Sequence, residues 1–486
     1  MNGPARRLVA ALMGGFLVLL AATTWYQVIA VDRYRDDPRN ARTAISRAGK
    51  ERGVIVTADG TVLARSVPDS DLPQSYLREY LGGPAFTHVV GYISRLAGST
   101  GLELAFADEL RSKRDLTISD LLAVLLGRDL RPNSLQITID PAVHQVALDA
   151  LDGRRGAIVA IQPSTGDVLV LVSSPSYDAS LLLGPGAIAE RRRLLDDPDE
   201  PLRDRATKEL AAPGSTFKTV VAGAAFDSGV AGPETEYLDL ATFPLPGSTA
   251  TISNYDGEQC GSGDTVTVSL GYVRSCNTVF AQLGIDVGAV PMGETAEAVG
   301  FNRTIRFPWE VAVSAFPTRA LANDDAALAQ SSLGERDVRA TPLVMAMTAA
   351  AVANGGELMQ PRLVTQLFDA DGQTVEEYPV ATLGRSLSPA TAAVLSQMME
   401  RVVTEGTGRR AAIPGVRVAG KTGTAQSSGA GAPDVWFIGF APVEAPSIAV
   451  AVMLEDGGGA GESATGGSVA APIAARIIEA WLSPRD

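Results

Sequence analysis

The chain has 486 residues, of which 46% are hydrophobic and 20% are charged, a composition typical of a globular protein with two or three domains. Its formal net charge of −14 argues against a nucleic-acid-binding protein, because neutralising phosphates requires a basic surface. We expect neither a metal site nor a cofactor.

An uncharged segment at the N-terminus predicts a membrane anchor. Residues 8–31 carry no charge, and this run is long enough to span a bilayer, which needs about 20 residues. Arg6 and Arg7 precede it, so the positive-inside rule puts residues 1–7 in the cytoplasm and the rest of the chain outside. A cleaved signal peptide is the alternative, but no small-residue cleavage site follows the run. We therefore expect a single-pass protein of the cell membrane whose main part is extracytoplasmic.

Residues 32–150 alternate short strand-like runs with Gly and Pro turns, and Asp59-Gly60 marks a hairpin. This pattern predicts a small mixed domain that acts as a pedestal above the membrane.

The pattern changes near Arg154, where GAIVAIQ and DVLVLVSS flank the turn 163–166. Both runs are apolar on both faces, which predicts a hairpin in the centre of a sheet. We place the domain boundary between residues 150 and 151. The charged segment 190–205 is interpreted as a solvated linker or surface loop.

The C-terminal part of the chain contains three further predicted strands, VRVAGKTGT, VWFIGF (435–440) and IAVAVML (448–454), followed by a predicted helix at 468–482. One sheet would combine the two ends of the segment 151–486 and would be covered by the terminal helices. The mostly helical middle, about 215–410, would pack on one side.

Residues 415–424 read GVRVAGKTGT and fit two unrelated motifs. The glycine, lysine and threonine positions match the P-loop pattern G-x-x-x-x-G-K-[ST], whereas residues 421–423 match the K-T-G of penicillin-interacting serine enzymes. The expected topology puts this segment outside the cell, away from nucleoside triphosphates. Alternating apolar residues also predict a strand rather than a glycine-rich loop, so we favour the K-T-G interpretation.

Ser215 and Lys218 form an S-x-x-K at the predicted start of a helix. Apolar residues recur from Phe217 at helical spacing, and Gly229 marks the expected end. The spacing of three puts the hydroxyl and the amine on one face of the helix. A surface pair on a helix is the alternative for an isolated S-x-x-K.

A serine hydroxyl becomes a good nucleophile only when a base removes its proton. The two histidines, His88 and His144, lie upstream of the segment that holds the other candidates, which argues against a Ser-His-Asp triad. A lysine can serve as the base if burial or a second cation lowers its pKa. Lys218 is the lysine next to Ser215 on this helix, and Lys421 would be that cation if its strand lies beside the helix.

Ser275-Cys276-Asn277 forms an S-x-N, which alone is as easily a helix cap or a turn. The order S-x-x-K, S-x-N, K-T-G along one chain is far more specific than any one of the three.

These motifs, with segments such as RGVIVTADGTVLA, GAIVAIQPSTGDVLVLVSSPSYD and WFIGFAP, resemble the class B penicillin-binding proteins, the bacterial peptidoglycan D,D-transpeptidases. The short pedestal and the sequence around DDPRNAR resemble the actinobacterial PbpA group. The resemblance implies an α/β (α+β) fold with a transpeptidase domain like that of serine β-lactamases. That domain would have a central antiparallel sheet, flanking helices and a helical subdomain, after a small mixed pedestal domain and one transmembrane helix.

The resemblance also implies catalytic roles. Ser215 would attack the penultimate D-Ala carbonyl of a donor stem peptide, which releases the terminal D-Ala and leaves an acyl-enzyme. Lys218 would be its base, Ser275 and Lys421 would pass a proton to the leaving group, and Asn277 would hold the donor's side amide. An acceptor amine from a second stem peptide would then close the cross-link, and β-lactams would acylate the same serine.

The resemblance also implies that the K-T-G segment binds the substrate. Thr422, Gly423 and Thr424 would line the site of the substrate carboxylate, and the backbone N–H groups of Ser215 and Thr424 would bind the oxyanion. The sequence does not decide which of the two threonine hydroxyls reaches the ligand. This chain reads Gly-Glu-Arg at 334–336 where relatives often read G-Q-G, so no role is carried over to that loop.

No segment resembles a glycosyltransferase domain, so the resemblance implies a RodA/FtsW-type glycosyltransferase partner and proteins of the divisome or the elongation machinery. Two other functions remain open. One is a β-lactam-hydrolysing or β-lactam-sensing membrane protein, and the other is a non-catalytic scaffold of cell division.

Cys260 and Cys276 are the only cysteines, and an oxidising exterior favours a disulfide between them. Such a bridge would clamp the S-x-N segment. The alternative is a buried thiol at Cys276 and an exposed one at Cys260.

Overall fold

The structure is a computed structural model that describes residues 3–30, 49–70, 75–112, 130–426 and 431–484. Residue 31 of the expected anchor and residues 32–48, 71–74 and 113–129 of the expected pedestal, which include the DDPRNAR segment (36–42), lie outside the described residues.

The N-terminal segment forms one long apolar helix. An α-helix runs over Gly3–Thr24 and continues as a short π-helical turn at Trp25–Ile29. The stretch Gly3–Gln27 has a mean hydropathy of 2.0 and no buried residues, so it is long and apolar enough to cross a membrane. The helix begins before the uncharged run and includes both arginines.

The first sheet has six strands and joins segments that are far apart in the chain. In spatial order its strands are Thr374–Glu377, Val364–Phe368, Ser134–Ile137, Ile55–Thr57, Val62–Pro68 and Tyr76–Tyr80. The predicted hairpin at Asp59-Gly60 is confirmed, because the strands on either side of it pair antiparallel and Gly60 adopts a left-handed φ of 86°. Two of the six strands come from beyond residue 150.

The second sheet, called the central sheet below, has five antiparallel strands that are almost wholly buried. In spatial order they are Ala419–Ala425, Asp434–Ala441, Ile448–Leu454, Gly156–Ile161 and Val168–Ser174. The predicted hairpin and the three predicted C-terminal strands are therefore confirmed. The KTG strand, Ala419–Ala425, forms one edge, which is incompatible with a P-loop, whose lysine leads into a helix.

Helices cover both faces of the central sheet, which explains why its strands are apolar throughout. Ile158 packs in the cluster under the helices Pro141–Leu151 and Ala471–Leu482, whereas its neighbour Val159 belongs to the cluster on the other face, under Pro342–Ala353. The predicted C-terminal helix is confirmed, with a π-helical turn at Gly466–Ala470 leading into it.

The remaining helices surround these two sheets. Longer α-helices lie at Ala187–Asp196, Lys218–Ser228, Val268–Arg274, Asn277–Val287, Ala289–Ala298, Asp325–Ser331 and Pro389–Thr404. Shorter helical turns lie at Gly83–Phe86, Thr87–Val90, Gly101–Ala105, Ala179–Leu182, Arg205–Lys208, Gly214–Phe217, Thr318–Leu321, Arg409–Ala411 and Glu455–Gly459. Four two-stranded sheets pair Ile93–Ser94 with Gly98–Ser99, Glu236–Leu238 with Thr265–Thr267, Thr242–Pro244 with Thr251–Ser253, and Glu357–Met359 with Thr382–Arg385.

Candidate active site

Ser215 lies on a tight helical turn at the start of the predicted helix. The turn Gly214–Phe217 is a 3₁₀-helix that passes directly into the α-helix Lys218–Ser228, and Gly229 ends it with a left-handed φ of 71°. Side chains three apart are eclipsed in a 3₁₀-helix, so Ser215 and Lys218 lie on the same side of this turn. Ser215 is partly exposed, whereas Lys218 is fully buried.

The Lys218 amine is held by the S-x-N segment. Its Nζ donates to the backbone oxygen of Ser275 at 2.7 Å and to Oδ1 of Asn277 at 2.8 Å, and it lies 3.5 Å from the Ser275 hydroxyl. It also lies 5.4 Å from the centre of the Phe280 ring. The structure thus brings the first two motifs into direct contact.

The Lys421 amine reaches the same serine from the KTG strand. Its Nζ donates to Oγ of Ser275 at 2.8 Å and to the backbone oxygen of Thr422 at 3.0 Å. Gly423 allows this approach, because a Cβ there would lie 2.6 Å from the backbone oxygen of Pro213. The strand therefore packs closely against the turn that carries Ser215.

Burial changes the acid–base behaviour of both lysines. Desolvation, reinforced by the charge of Lys421 and opposed by that of Glu335, lowers the pKa of Lys218 well below its usual value. Desolvation alone lowers the pKa of Lys421 to about 7. A neutral amine that can accept a proton is therefore accessible near pH 7.

The S-x-N segment is shaped by its backbone and by Asn254. Ser275 ends the helix Val268–Arg274 in the left-handed conformation, with φ 64°. Asn277 begins the next helix, and Oδ1 of Asn254 accepts from its backbone N–H at 2.9 Å. Nδ2 of Asn277 donates to the backbone oxygen of Ser253 at 3.0 Å, which orients the amide so that its oxygen faces Lys218.

Cys260 and Cys276 form a disulfide in the structure, with their Cα atoms 6.1 Å apart. The bridge ties the S-x-N segment to the loop that contains Asn254. Both cysteines are buried.

Ser215 also lies in the wall of a cavity of about 360 Å³. Its lining includes the side chains expected for substrate binding and several that the sequence did not suggest. These residues are Ser215, Asn254, Asp256, Arg274, Ser275, Asn277, Glu335, Thr407, Thr422, Thr424 and Thr465. The cavity is large enough for part of a peptide.

The two candidate threonines have different surroundings. Thr422 is 6% exposed, and its hydroxyl is hydrogen-bonded to that of Thr407 at 2.6 Å. Thr424 is partly exposed, and its hydroxyl accepts a bond of 3.3 Å from the N–H of Gly466. Thr424 is therefore the more exposed of the two threonines, although both line the cavity.

Three further residues line the site although the sequence analysis did not identify them as site residues. They are Asn254, Thr407 and Glu335. Asn254 and Thr407 belong to no recognised motif. Glu335 lies where the sequence departs from the pattern of similar proteins, and this departure was the one available signal.

The chain is similar to known proteins over nearly its whole length. The family described as penicillin binding protein transpeptidase domain matches residues 156–479, and the one described as penicillin binding protein A dimerisation domain matches 52–135. The peptidoglycan D,D-transpeptidases PbpA of Mycolicibacterium smegmatis and Mycobacterium tuberculosis H37Rv are each 41% identical to this chain, over 99% of both chains.

The chain is also similar to solved structures. Penicillin-binding protein A from M. tuberculosis, as a ceftriaxone acyl-enzyme complex, has a TM-score of 0.83 and 39% identity and covers 90% of this chain and 100% of its own. The imipenem acyl-enzyme complex of that protein has a TM-score of 0.82 and 40% identity, with the same coverage.

Proposed function

The chain belongs to the class B penicillin-binding proteins and is a serine-type peptidoglycan D,D-transpeptidase; on that premise we propose which residues perform each step of the cross-linking reaction. The observation that carries the proposal is the convergence of two buried lysines on Ser275, beside a serine in the wall of an open cavity.

In the first step, Ser215 Oγ attacks the penultimate D-Ala carbonyl of the donor stem peptide. Neutral Lys218 accepts the hydroxyl proton, and the lowered pKa keeps this amine available as a base. The peptide C–N bond breaks, and Ser275 with Lys421 delivers a proton to the departing D-Ala amine. The donor remains bound to Ser215 as an ester.

The donor is held by groups of the cavity wall. Thr422 and Thr424 bind its terminal carboxylate beside Gly423, Asn277 binds its side amide, and the backbone N–H groups of Ser215 and Thr424 bind the oxyanion. N–H groups that donate hydrogen bonds to the oxygen on which negative charge develops stabilise the transition state more than the ground state.

In the second step, an amine of a neighbouring stem peptide attacks the ester carbonyl. A new amide bond forms, the bond to Ser215 breaks, and the serine recovers its proton. A β-lactam enters the same first step, but its ring opening leaves no departing fragment, so the acyl-enzyme persists.

The N-terminal apolar helix supports a proposal for the location of the chain. We place residues 1–7 in the cytoplasm, the span within 8–31, and the pedestal (32–150) and transpeptidase domain (151–486) outside the membrane. Glycan polymerisation then needs a partner of the RodA/FtsW type, together with divisome or elongation proteins.

The full-length chain in detergent, incubated with a fluorescent penicillin, tests the nucleophile. We expect a long-lived covalent adduct that Ser215→Ala abolishes and that Ser228→Ala, at the far end of the same helix, retains. An adduct that forms and clears within minutes would favour a β-lactamase. No adduct from folded wild-type protein would favour the non-catalytic scaffold.

A further inference from the structure

Glu335 is a carboxylate at the candidate active site that the steps above do not use. It lines the cavity that also contains Ser215. Its position is fixed through Gly334, whose backbone oxygen accepts a 3.0 Å hydrogen bond from the N–H of Gly214. Gly334 has a φ of 75°, and a Cβ there would lie 2.1 Å from the oxygen of Gly214. The loop is thus anchored to the residue that precedes the nucleophile.

The neighbouring side chains of the loop are engaged elsewhere. Arg336 contacts Asp337 at 3.2 Å and Gln330 at 3.1 Å, and both Arg336 and Asp337 are exposed. Glu335 is half-buried and faces the cavity. It is therefore the part of this loop that a bound substrate would meet.

The charges around Glu335 leave its carboxylate available. Lys218 is close enough to interact electrostatically with it, but the Lys218 amine donates its hydrogen bonds to Ser275 and Asn277. The other charged side chains in the lining, Asp256 and Arg274, are exposed. Desolvation raises the pKa of Glu335, which makes it a better proton acceptor than a solvated glutamate.

We propose that Glu335 binds the ammonium group of the acceptor stem peptide and removes its first proton before the amine attacks the acyl-enzyme. This inference rests on the proposed function, because it assigns a residue to the second half of that reaction.

The chemistry of the acceptor requires such a group. An alkyl amine has a pKa near 10 and arrives at neutral pH as an ammonium ion, which is not a nucleophile. Glu335 takes one proton and becomes a neutral acid, and the free amine then forms the amide bond as the ester bond to Ser215 breaks. The second amine proton returns to Ser215 Oγ through Lys218 and Ser275, and Glu335 releases its proton to water.

The competing explanation is that Glu335 acts only by changing the pKa of Lys218. The Glu335 carboxylate raises the pKa of Lys218, so its removal would then change acylation itself. Acceptor binding predicts a change in the second step alone.

The test uses full-length Glu335→Gln in detergent with a D-alanyl thioglycolate thioester as donor. Two acceptors are compared at pH 7: Nα-acetyl-lysine amide, which is an ammonium ion, and methoxyamine, which is neutral. Amide product and hydrolysis product are both quantified, and acylation by a fluorescent penicillin is measured separately. Glu335→Asp is the conservative variant. Asp337→Asn, on the same loop but exposed and not part of the cavity lining, is the matched control.

We expect Glu335→Gln to be acylated within about threefold of the wild-type rate but to lose at least about tenfold in transfer to the lysine amide. Transfer to methoxyamine and the behaviour of Asp337→Asn should stay near wild type, and Glu335→Asp should recover part of the lost transfer. If Glu335→Gln transfers the acyl group to the lysine amide at the wild-type rate, the proposal is overturned. Acylation that changes by more than about threefold in either direction, with both acceptors affected equally, also overturns it, in favour of the Lys218 explanation. A wild-type protein that is not acylated would instead refute the proposed function and remove the basis of this inference.

Discussion

The Nζ of Lys421 lies 2.8 Å from Oγ of Ser275, although 146 residues separate the two along the chain. The Nζ of Lys218 lies 3.5 Å from the same oxygen. Two ammonium ions this close in a buried site repel each other strongly, so one of the two amines is expected to be neutral when the site is active. This arrangement connects the pH dependence of acylation to that of stability.

The charge of Lys421 should set the pH at which acylation begins. Because that charge lowers the pKa of Lys218, Lys421→Met should move the acid limb of the acylation rate to higher pH and also slow the reaction, since a proton donor is lost. Second-order acylation constants for a fluorescent penicillin between about pH 5.5 and 9.5 measure this effect. Lys208→Met, which removes an exposed lysine, is the control. An unmoved acid limb would show that the two lysines are not coupled.

Stability should rise with pH because of the same lysine. The pKa of Lys421 is about 7 in the folded state and ordinary in the unfolded state, so between these values the unfolded state binds more protons. The free energy of unfolding therefore increases with pH, by about 2–3 kcal/mol between pH 7.5 and 9.5 from this residue. Urea unfolding of wild type and Lys421→Met at both pH values measures the difference. Equal pH dependence in the two proteins would contradict the assigned pKa.

Asn254 should matter for catalysis although it belongs to no motif. Its Oδ1 accepts from the backbone N–H groups of Asn277 and Thr278, and its Nδ2 donates to the backbone oxygens of Leu240 and Glu258. Asn254→Ala should cost about 1–2 kcal/mol of stability, because it leaves these groups unpaired. Acylation should slow at temperatures where the variant is fully folded, since Asn277 would no longer be oriented. Wild-type acylation by the folded variant would refute this role.

The disulfide should stabilise the wall of the cavity. For a loop of this length, with a sequence separation of 16, the chain-entropy model gives about 3 kcal/mol. The double variant with Cys260→Ala and Cys276→Ala should therefore melt at a lower temperature than oxidised wild type, and a reductant should lower the melting temperature of wild type only. Mass spectrometry that finds two free thiols in oxidised wild type would contradict the bridge.

Glycine should be required at position 423 because there is no room for a Cβ, not because the backbone there needs a conformation that only glycine adopts. A Cβ at this position would meet Pro213 O at 2.6 Å and Thr216 Cγ2 at 2.9 Å. Gly423→Ala should push the KTG strand away from the nucleophile turn and reduce the acylation constant by about tenfold or more. Gly232→Ala, where an added Cβ meets nothing within 4 Å, is the control. Similar acylation constants for the two variants would show that the strand can shift without cost.

The elements of the central sheet were predictable because their signals are local. Long apolar runs such as 448–454 predict buried strands, and the structure places a strand there. The segment 190–205 shows where prediction from local signals fails. Its charges suggested a solvated loop, but part of it forms the helix Ala187–Asp196, and Arg205 is fully buried, where its Nε donates to Glu455 at 2.7 Å. No local pattern reveals a partner 250 residues away.

Local spacing and motif order were enough to predict the chemistry. The spacing of Ser215 and Lys218 is a property of one helical turn, and the order of the three motifs indicated the family. The folded chain was needed to show that Lys421 contacts Ser275, that Asn254 holds Asn277 and that Glu335 lines the cavity. These relationships join residues that are distant in the chain, and they depend on how the sheet and helices pack, which no periodicity in the sequence encodes.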